Sequence, residues 1–296
     1  MTVSTVSILG LGTMGTAIAD AFLQKGHTVT VWNRTEKKAG PLAEKGALAS
    51  KCPESCMRSS SLTIIALLSD DIVRKVLSTC SNLAGCTIVN LTGSTPGQAK
   101  ATSQIVHDLG ASGYLHGFIG GFPEAVRAGA GTVFYSGPQK IFDTHQAMLK
   151  VLGDARWLSD QVQQASYIDN ATLMMIVGTC GGFLQAMALV RAAGLDEAEF
   201  ATQLVPGAME AFAGWLLRLA EQVKERSYLP VHDGSVDLTL VATRNAVETA
   251  ESLGVSTQII QGMRDLMEKT VEEGRGHEEI SVLVENLRNE SNDDGR

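Results

Sequence analysis

Three glycines, an arginine and a lysine carry the first chemical signal in this chain. Gly10-Leu11-Gly12-Thr13-Met14-Gly15 follows directly on the short apolar run Val6-Ser7-Ile8-Leu9. In such a turn Gly10 permits the tight bend, Gly12 lets a pyrophosphate approach the backbone, and Gly15 lets helix and strand pack closely. The helix that follows, read as Thr16 to Lys25 and ended by Gly26, turns free N–H groups and a positive dipole end toward phosphates. The motif alone is weak. Its context strengthens it, because a strand precedes it and a second strand, Thr28 to Trp32, follows the helix. The residues past that second strand choose the dinucleotide. An NAD site usually places Asp or Glu there, on the ribose 2′-hydroxyl. This chain has Asn33-Arg34-Thr35, with Lys37 and Lys38 close behind. A guanidinium pairs bidentately with a 2′-phosphate, and a hydroxyl and lysines add to the cradle. The expected cofactor is NADPH (NADP+), held by Gly10, Leu11, Gly12, Thr13, Met14, Gly15, Asn33, Arg34, Thr35 and Lys38.

The elements that must position these residues read in alternation. Lys38 to Lys45 is a helix closing at Gly46. Ser61 to Leu68 is a buried strand, ending in the N-cap cluster Ser69-Asp70-Asp71 and a helix to Cys80. Thr87 to Leu91 is a strand, Gly97 to Gly110 a helix, Gly113 to Gly117 a short strand. A glycine-rich loop, Gly120 to Pro123, precedes a strand at Thr132 to Ser136 and a helix at Phe142 to Leu152. Alternation to about residue 158 predicts an α/β Rossmann domain with a doubly wound, mostly parallel sheet. Ligands bind such sheets outside the carboxyl ends of the strands. That rule adds Leu67, Leu68, Asn90 and Thr92 to the cofactor set. Leu67 and Leu68 suit a wall for a ring and suit an ordinary strand-end core equally.

Composition bounds the rest. At 296 residues the chain has room for two domains. Its net charge of −8 gives no basic face for nucleic acid. Five cysteines, odd in number and without paired zinc spacing, read as reduced thiols with no metal. No basic, apolar leader opens the chain, so the expected location is the cytoplasm. Ala171 to Val190 is long and apolar enough to need a membrane test. It is read instead as a buried helix, apolar on all sides, with no membrane as partner. From Ser159 to Ala193 no proline appears, which predicts a helix of about 33 residues and roughly 50 Å. It is expected to leave the nucleotide domain and pack in a dimer. The remainder reads as helical: Asp196 to Leu204, ended near Pro206, then Ala208 to Val223, Ser235 to Leu253, Ser256 to Glu273 and Glu278 to Arg288. The tail Asn289 to Arg296 is polar. The expected divisions are 1–158 for NADP(H) binding, 159–193 for the long interdomain helix, and 194–296 for an all-α dimerisation and substrate domain.

Together these residues look like a known group. The chain resembles the imine reductases and reductive aminases, a branch of the β-hydroxyacid dehydrogenase superfamily with a 6-phosphogluconate dehydrogenase-type NADP-binding domain. The resemblance covers nearly the whole chain. It rests on Gly10–Gly15, Val31-Trp32-Asn33-Arg34-Thr35, Val89-Asn90-Leu91-Thr92 with Thr95-Pro96, the helix around Asp169, and the run from Ser235-Val236-Asp237 through Gly274-Arg275-Gly276-His277. Hydroxyacid dehydrogenases of the superfamily carry a lysine near the start of the long helix. Here that stretch is Tyr167-Ile168-Asp169-Asn170-Ala171, and imine reductases typically have Asp or Tyr there. The resemblance therefore implies NADPH-dependent reduction of imines to amines, hydride passing from nicotinamide C4 to the C=N carbon. Asp169 is implied as acid/base or cation-stabilising carboxylate. A ketone oxyanion wants a cationic donor, whereas a C=N⁺ cation is stabilised by a carboxylate.

The implied substrate pocket is Gly93, Ser94, Phe118, Leu173, Ile176, Val177 and Met209, completed at the interface of a homodimer. The substrate would be a small-molecule imine, or a ketone plus an amine. Three positions depart from the reductive aminases. Gly93 stands where they often have Asn, Val177 where they often have Tyr, and their Trp after Pro206 has no clear counterpart, Trp215 lying later. These departures point toward a preformed imine more than toward ketone–amine coupling. His232 and Asp233 fall near the substrate lid of that family and read equally well as ordinary loop residues. Two other readings stand beside the first: an NADPH-dependent β-hydroxyacid or carbonyl reductase, and a non-catalytic NADPH-binding protein. Loss of turnover in Asp169→Ala would separate the last from an imine reductase.

Overall fold

A computed structural model describes residues 3–229 and 234–287. His232, Asp233 and the tail Asn289–Arg296 lie outside the described residues. The chain divides into two compact units, Met1–Met174 and Met175–Arg296.

The first unit is built on eight strands: β1 (Thr5–Leu9), β2 (Thr28–Trp32), β3 (Leu48–Ala49), β4 (Leu62–Ile65), β5 (Thr87–Asn90), β6 (Gly113–Gly120), β7 (Gly131–Ser136) and β8 (Gly153–Ser159). They form one sheet in the order β3-β2-β1-β4-β5-β6-β7-β8. Every pair is parallel except β6 with β7. The strand order reverses between β1 and β4, which opens the crevice where such sheets hold ligands. Val6, Ile8, Leu9, Ile64, Ile65, Ile88 and Val89 are fully buried, as central parallel strands covered on both faces must be. The helices of this unit are α1 (Thr13–Gln24), α2 (Gly40–Ala43), α3 (Pro53–Arg58), α4 (Asp70–Leu77), α5 (Pro96–Asp108), α6 (Pro123–Arg127) and α7 (Gln139–Leu149). Helix α8 (Gln164–Ala192) begins here and runs on into the second unit. That unit adds α9 (Glu197–Glu199), α10 (Val205–Glu225), α11 (Val236–Ser252), α12 (Gln258–Glu272) and α13 (Leu283–Asn286). Val236, Leu240, Met267, Val282 and Leu283 make its core.

Several elements differ from the sequence reading, each for a local reason. Helix α1 starts three residues early, at Thr13, so its first N–H groups belong to the glycine motif itself. The helix expected over Lys38 to Lys45 is a 3-10 turn, Glu36–Ala39, followed by α2. Pro41 has no N–H to continue a helix and starts a new one instead. Strand β4 stops at Ile65, and Leu67 N–H donates to Thr92 Oγ1 at 3.0 Å rather than to a neighbouring strand. Strand β6 runs through Gly117 to Gly120, because His116 to Gly120 pair antiparallel with β7, and a Cβ at Gly117 would come within 2.5 Å of Leu91 Cδ2. That glycine marks tight packing, not a strand end. The Phe142–Leu152 helix is Gln139–Leu149 with a 3-10 turn after it.

In the second half, α8 opens at Gln164, since Ser159 closes β8. At 29 residues it is roughly 44 Å long at about 1.5 Å per residue. Pro206 ends nothing. It sits in the first turn of α10, where a missing N–H is tolerated, and Phe200–Leu204 is a π turn leading into it. The last expected helix is a 3-10 turn, Ile280–Val282, and the short α13. Val236 N–H bonded to Glu278 O at 2.9 Å holds the chain before it extended.

Candidate functional site

The glycine motif has the geometry its spacing implies. Gly10 adopts φ +96°, a left-handed backbone that side chains resist. A Cβ on Gly15 would lie 1.9 Å from Gly10 O, so helix α1 can seat against the loop only with glycine there. Gly12 is different. Its φ is −75°, and a Cβ there would meet nothing within 4 Å. It faces open space, which is what a pyrophosphate approaching the backbone needs. The first turn of α1 carries no acidic residue and no side-chain cap, so its N–H groups stay available to an anion. One substitution in two places separates these roles. Gly15→Ala should destabilise the fold by about 3 kcal/mol. Gly12→Ala should leave the melting temperature of the apoprotein unchanged and weaken NADPH binding. Thermal melts with and without NADPH check both.

The motif opens onto a cleft of about 1440 Å³. Gly10, Gly12, Thr13, Met14, Gly15, Asn33, Arg34, Thr35, Lys38, Leu67 and Leu68 all line it. Leu68 is 90% exposed, so it is available as a wall and is not core. Leu11 is buried in the core and contributes its backbone, N–H to Asn33 Oδ1 at 3.0 Å. Asn33 also donates to Thr35 O at 3.1 Å. Its amide thus ties the glycine loop to the β2 turn and presents Arg34 and Thr35. Arg58 on α3 and Lys75 on α4 line the same cleft. The sequence reading did not single them out, because α3 and β3 are too short to read and a lysine inside α4 carries no motif. Glu54 is the carboxylate on this cleft among the described residues. It is engaged by Ser81 N–H at 2.7 Å and by Arg58 at 3.8 Å. Four cations around an open phosphate cradle fit NADPH.

Asn90 and Thr92 are fully buried and lock loops. Asn90 accepts from Thr92 N–H at 3.1 Å and donates to Tyr114 OH at 3.2 Å. Thr92 in turn fixes Leu67. The β5 loop then reaches the start of α8. Asp169 is half-buried, and burial raises its carboxyl above the ordinary value. A Cβ on Gly93 would sit 3.3 Å from Asp169 Oδ2. Ser94 is buried, its hydroxyl 3.1 Å from His116 Nε2 and 3.2 Å from Ser166 Oγ. The structure therefore brings Gly93 and Ser94 together with Asp169. Phe118 instead stacks on Phe134, centroids 6.2 Å apart. Leu173, Ile176, Val177 and Met209 are exposed in the single chain, the last three belonging to the second unit.

A mostly parallel sheet with a glycine phosphate turn, and a carboxylate helix beside its β5 loop, defines a dinucleotide-dependent oxidoreductase. Residues 5–168 match the family described as the NAD binding domain of 6-phosphogluconate dehydrogenase. Residues 162–289 match the NADPH-dependent reductive aminase-like C-terminal domain. The chain is 34% identical over 285 residues to an NADPH-dependent reductive aminase of Aspergillus oryzae, covering 95% of this chain and 96% of that protein. A reductive aminase from Aspergillus terreus, solved with NADPH and ethyl levulinate, superposes with a TM-score of 0.90 at 37% identity, covering 97% of this chain and 100% of that one. An imine reductase from Myxococcus stipitatus, solved with NADP+, does so at 0.90 and 28%, covering 96% and 100%. The chain belongs to the NADPH-dependent reductive aminase and imine reductase family. It is an NADPH-dependent oxidoreductase that reduces C=N bonds of small molecules.

Proposed function

We propose that imine reduction takes place against Asp169, with Gly93 beside it. One observation carries this reading. The carboxyl of Asp169 is half-buried and raised by desolvation, with no cationic neighbour contributing to the shift. A carboxylate held that way is poised to stabilise a cation that arrives with the substrate. Bound NADPH supplies the hydride. Arg34, Thr35 and Lys38, with Arg58 and Lys75, would hold the 2′-phosphate end of the cofactor, and the α1 N-terminus its pyrophosphate. Asp169 favours the protonated imine, and Gly93 leaves its carboxyl face open.

That openness supports a preference for preformed imines. The Aspergillus terreus reductive aminase has also been solved with cyclohexanone and allyl amine. In this chain, Gly93 and Val177 bring no polar side chain to hold a ketone and an amine together. The test compares NADPH oxidation with 1-pyrroline against NADPH oxidation with a ketone and excess amine. Faster turnover of 1-pyrroline is expected. Equal rates would defeat the preference, and no turnover of either would defeat Asp169 as an imine site.

We infer a cytoplasmic homodimer whose active site is completed by a second copy. Supporting this, α10 buries none of its 21 residues within one chain. On α8, Leu173, Met174, Met175, Ile176, Val177 and Leu184 are exposed. Only 6% of the most apolar stretch of α8 is buried, although its length and composition would also suit a membrane. Apolar surface on that scale needs cover. A second copy of the chain would supply that cover. Light scattering should give twice 31.4 kDa. Leu184→Glu should yield a monomer that binds NADPH and no longer turns over imine. A monomeric wild type would overturn the dimer.

A further inference from the structure

Asp169 stands on the second turn of α8, and what fixes that turn is a run of buried polar side chains outside the cofactor cleft. It begins at Asn90. Because Thr92 N–H must have an acceptor, Asn90 presents Oδ1 to it and Nδ2 to Tyr114 OH. Burial raises the Tyr114 phenol, which stays protonated, so its hydrogen goes to His116 Nδ1 at 3.3 Å. Burial lowers His116 to about 4, so the ring is neutral at working pH and carries its proton on Nε2. Nε2–H donates to Ser94 Oγ at 3.1 Å, and the Ser94 and Ser166 hydroxyls share a hydrogen bond at 3.2 Å. Ser166 lies three residues before Asp169, and Asn170 lies one after. The Asn170 amide donates to Ser94 O at 3.1 Å and to Ser166 O at 2.7 Å. A second tie holds the first turn of the helix: Ala165 N–H donates to Ser136 Oγ at 3.0 Å. The direction of each hydrogen bond from Asn90 to Ser94 is set from the Asn90 end. That end is an amide, which passes no proton, so the run is a fixed frame and not a proton wire.

We propose that Ser94, oriented by His116, and Asn170 are positioning residues for Asp169: they set the carboxyl against Gly93. This rests on the reading of Asp169 as the catalytic carboxylate. Ser94 then contacts α8 and not substrate, which changes the part its sequence position implied. The reach between carboxyl and Gly93 is fixed by a clasp on both sides of it, Ser94 on the β5 loop and Asn170 on the helix. Misplacement of a catalytic group by a fraction of an ångström costs turnover without touching cofactor affinity.

The test uses the full chain with 1-pyrroline and NADPH. Ser94→Ala and His116→Leu should each lower kcat about tenfold with KM for NADPH within about twofold of wild type. The double variant should fall no further than the worse single, because both break one run. His116→Gln, whose amide can donate to Ser94 from nearly the same place, should recover most of the loss. Asn170→Ala should act in the same direction as Ser94→Ala. Melting temperatures accompany each variant. A lowered melting temperature with wild-type kcat per folded molecule would overturn the proposal, and so would a raised KM for NADPH with kcat unchanged. Asp169→Asn is the control. If it is inactive while Ser94→Ala and Asn170→Ala are not impaired, the positioning role alone fails. If Asp169→Asn keeps full turnover, the reading of Asp169 fails and this inference with it.

Discussion

Asp169→Asn should lower kcat for a cyclic imine by roughly two to three orders of magnitude while the Kd for NADPH stays at the wild-type value. The size follows from charge. A carboxylate about 4 Å from a C=N⁺ cation is worth roughly 4 kcal/mol at an effective dielectric near 20, an upper figure for a half-buried group. That is close to three decades in rate. The cofactor is untouched because Asp169 is not among the residues lining the cleft. The pH dependence decides how the group works. Its carboxyl is raised by burial, so the acid form persists to higher pH than in an ordinary Asp. If the carboxylate stabilises the cation, kcat falls on the acid side, through that raised value, and the limb vanishes in Asp169→Asn. A fall on the alkaline side instead would make the neutral acid the working form and end the carboxylate reading. Stability carries the same sign. A raised folded value means that ionising Asp169 opposes folding, fully above that value and not at all below the unfolded one. Asp169→Asn should therefore melt slightly higher at neutral pH, and the gain should disappear in acid.

The fold was legible where elements are long and buried. The strand–glycine–helix–strand opening has apolar runs on either side of residues that admit few backbones, and its three glycines behave as their spacing required. Short edge elements were not legible. Strand β3 is two residues, and α3 is six, opened by Pro53 with Cys52 as its cap. Strand β8 is longer, but it alternates exposed Asp154 and Arg156 with half-buried neighbours only as far as Trp157, and no position in it is fully buried. Missing α3 also hid Arg58, since a residue can be placed on a cleft only when its element is known.

The candidate site divides in the same way. Side chains that face a loop next to them in sequence were found: Arg34, Thr35 and Lys38 line the cleft. Side chains whose partners come from distant strands show contacts that the sequence did not reveal. Asn90 and Thr92 hold loops, Leu11 is core, and Phe118 is paired with Phe134 across β6 and β7. His116 attracted no notice, because nothing in Gly113–Gly117 says that its ring will meet residues 94 and 114 in the interior. Asp169 was singled out only through the resemblance. A lone Asp near the start of a helix is an ordinary dipole partner, and its raised carboxyl depends on what packs around it.

Arg34→Ala should raise KM for NADPH by roughly one to two orders of magnitude and leave KM for NADH unchanged. The selectivity should shrink without inverting. A hydrogen-bonded ion pair to phosphate is worth about 1.5–3 kcal/mol. Arg34 is exposed at the rim, so salt screening places it at the lower end. Lys38→Ala should cost less than Arg34→Ala, because an ammonium meets the phosphate as a point charge and not as a two-pronged fork. Lys75 remains on the cleft in both variants, and so does Arg58, which is partly engaged by Glu54. That residual field keeps NADPH preferred. The four cations also predict a dependence on salt that NADH lacks. Raising ionic strength should erode the NADPH preference of the wild type more than that of Arg34→Ala, since the variant has already lost its strongest exposed contact. If NADPH and NADH weaken equally in Arg34→Ala, the arginine supports the loop and does not read the phosphate. The Asn33 clamp, which ties Leu11 to Thr35, would then be the place where cofactor geometry is set.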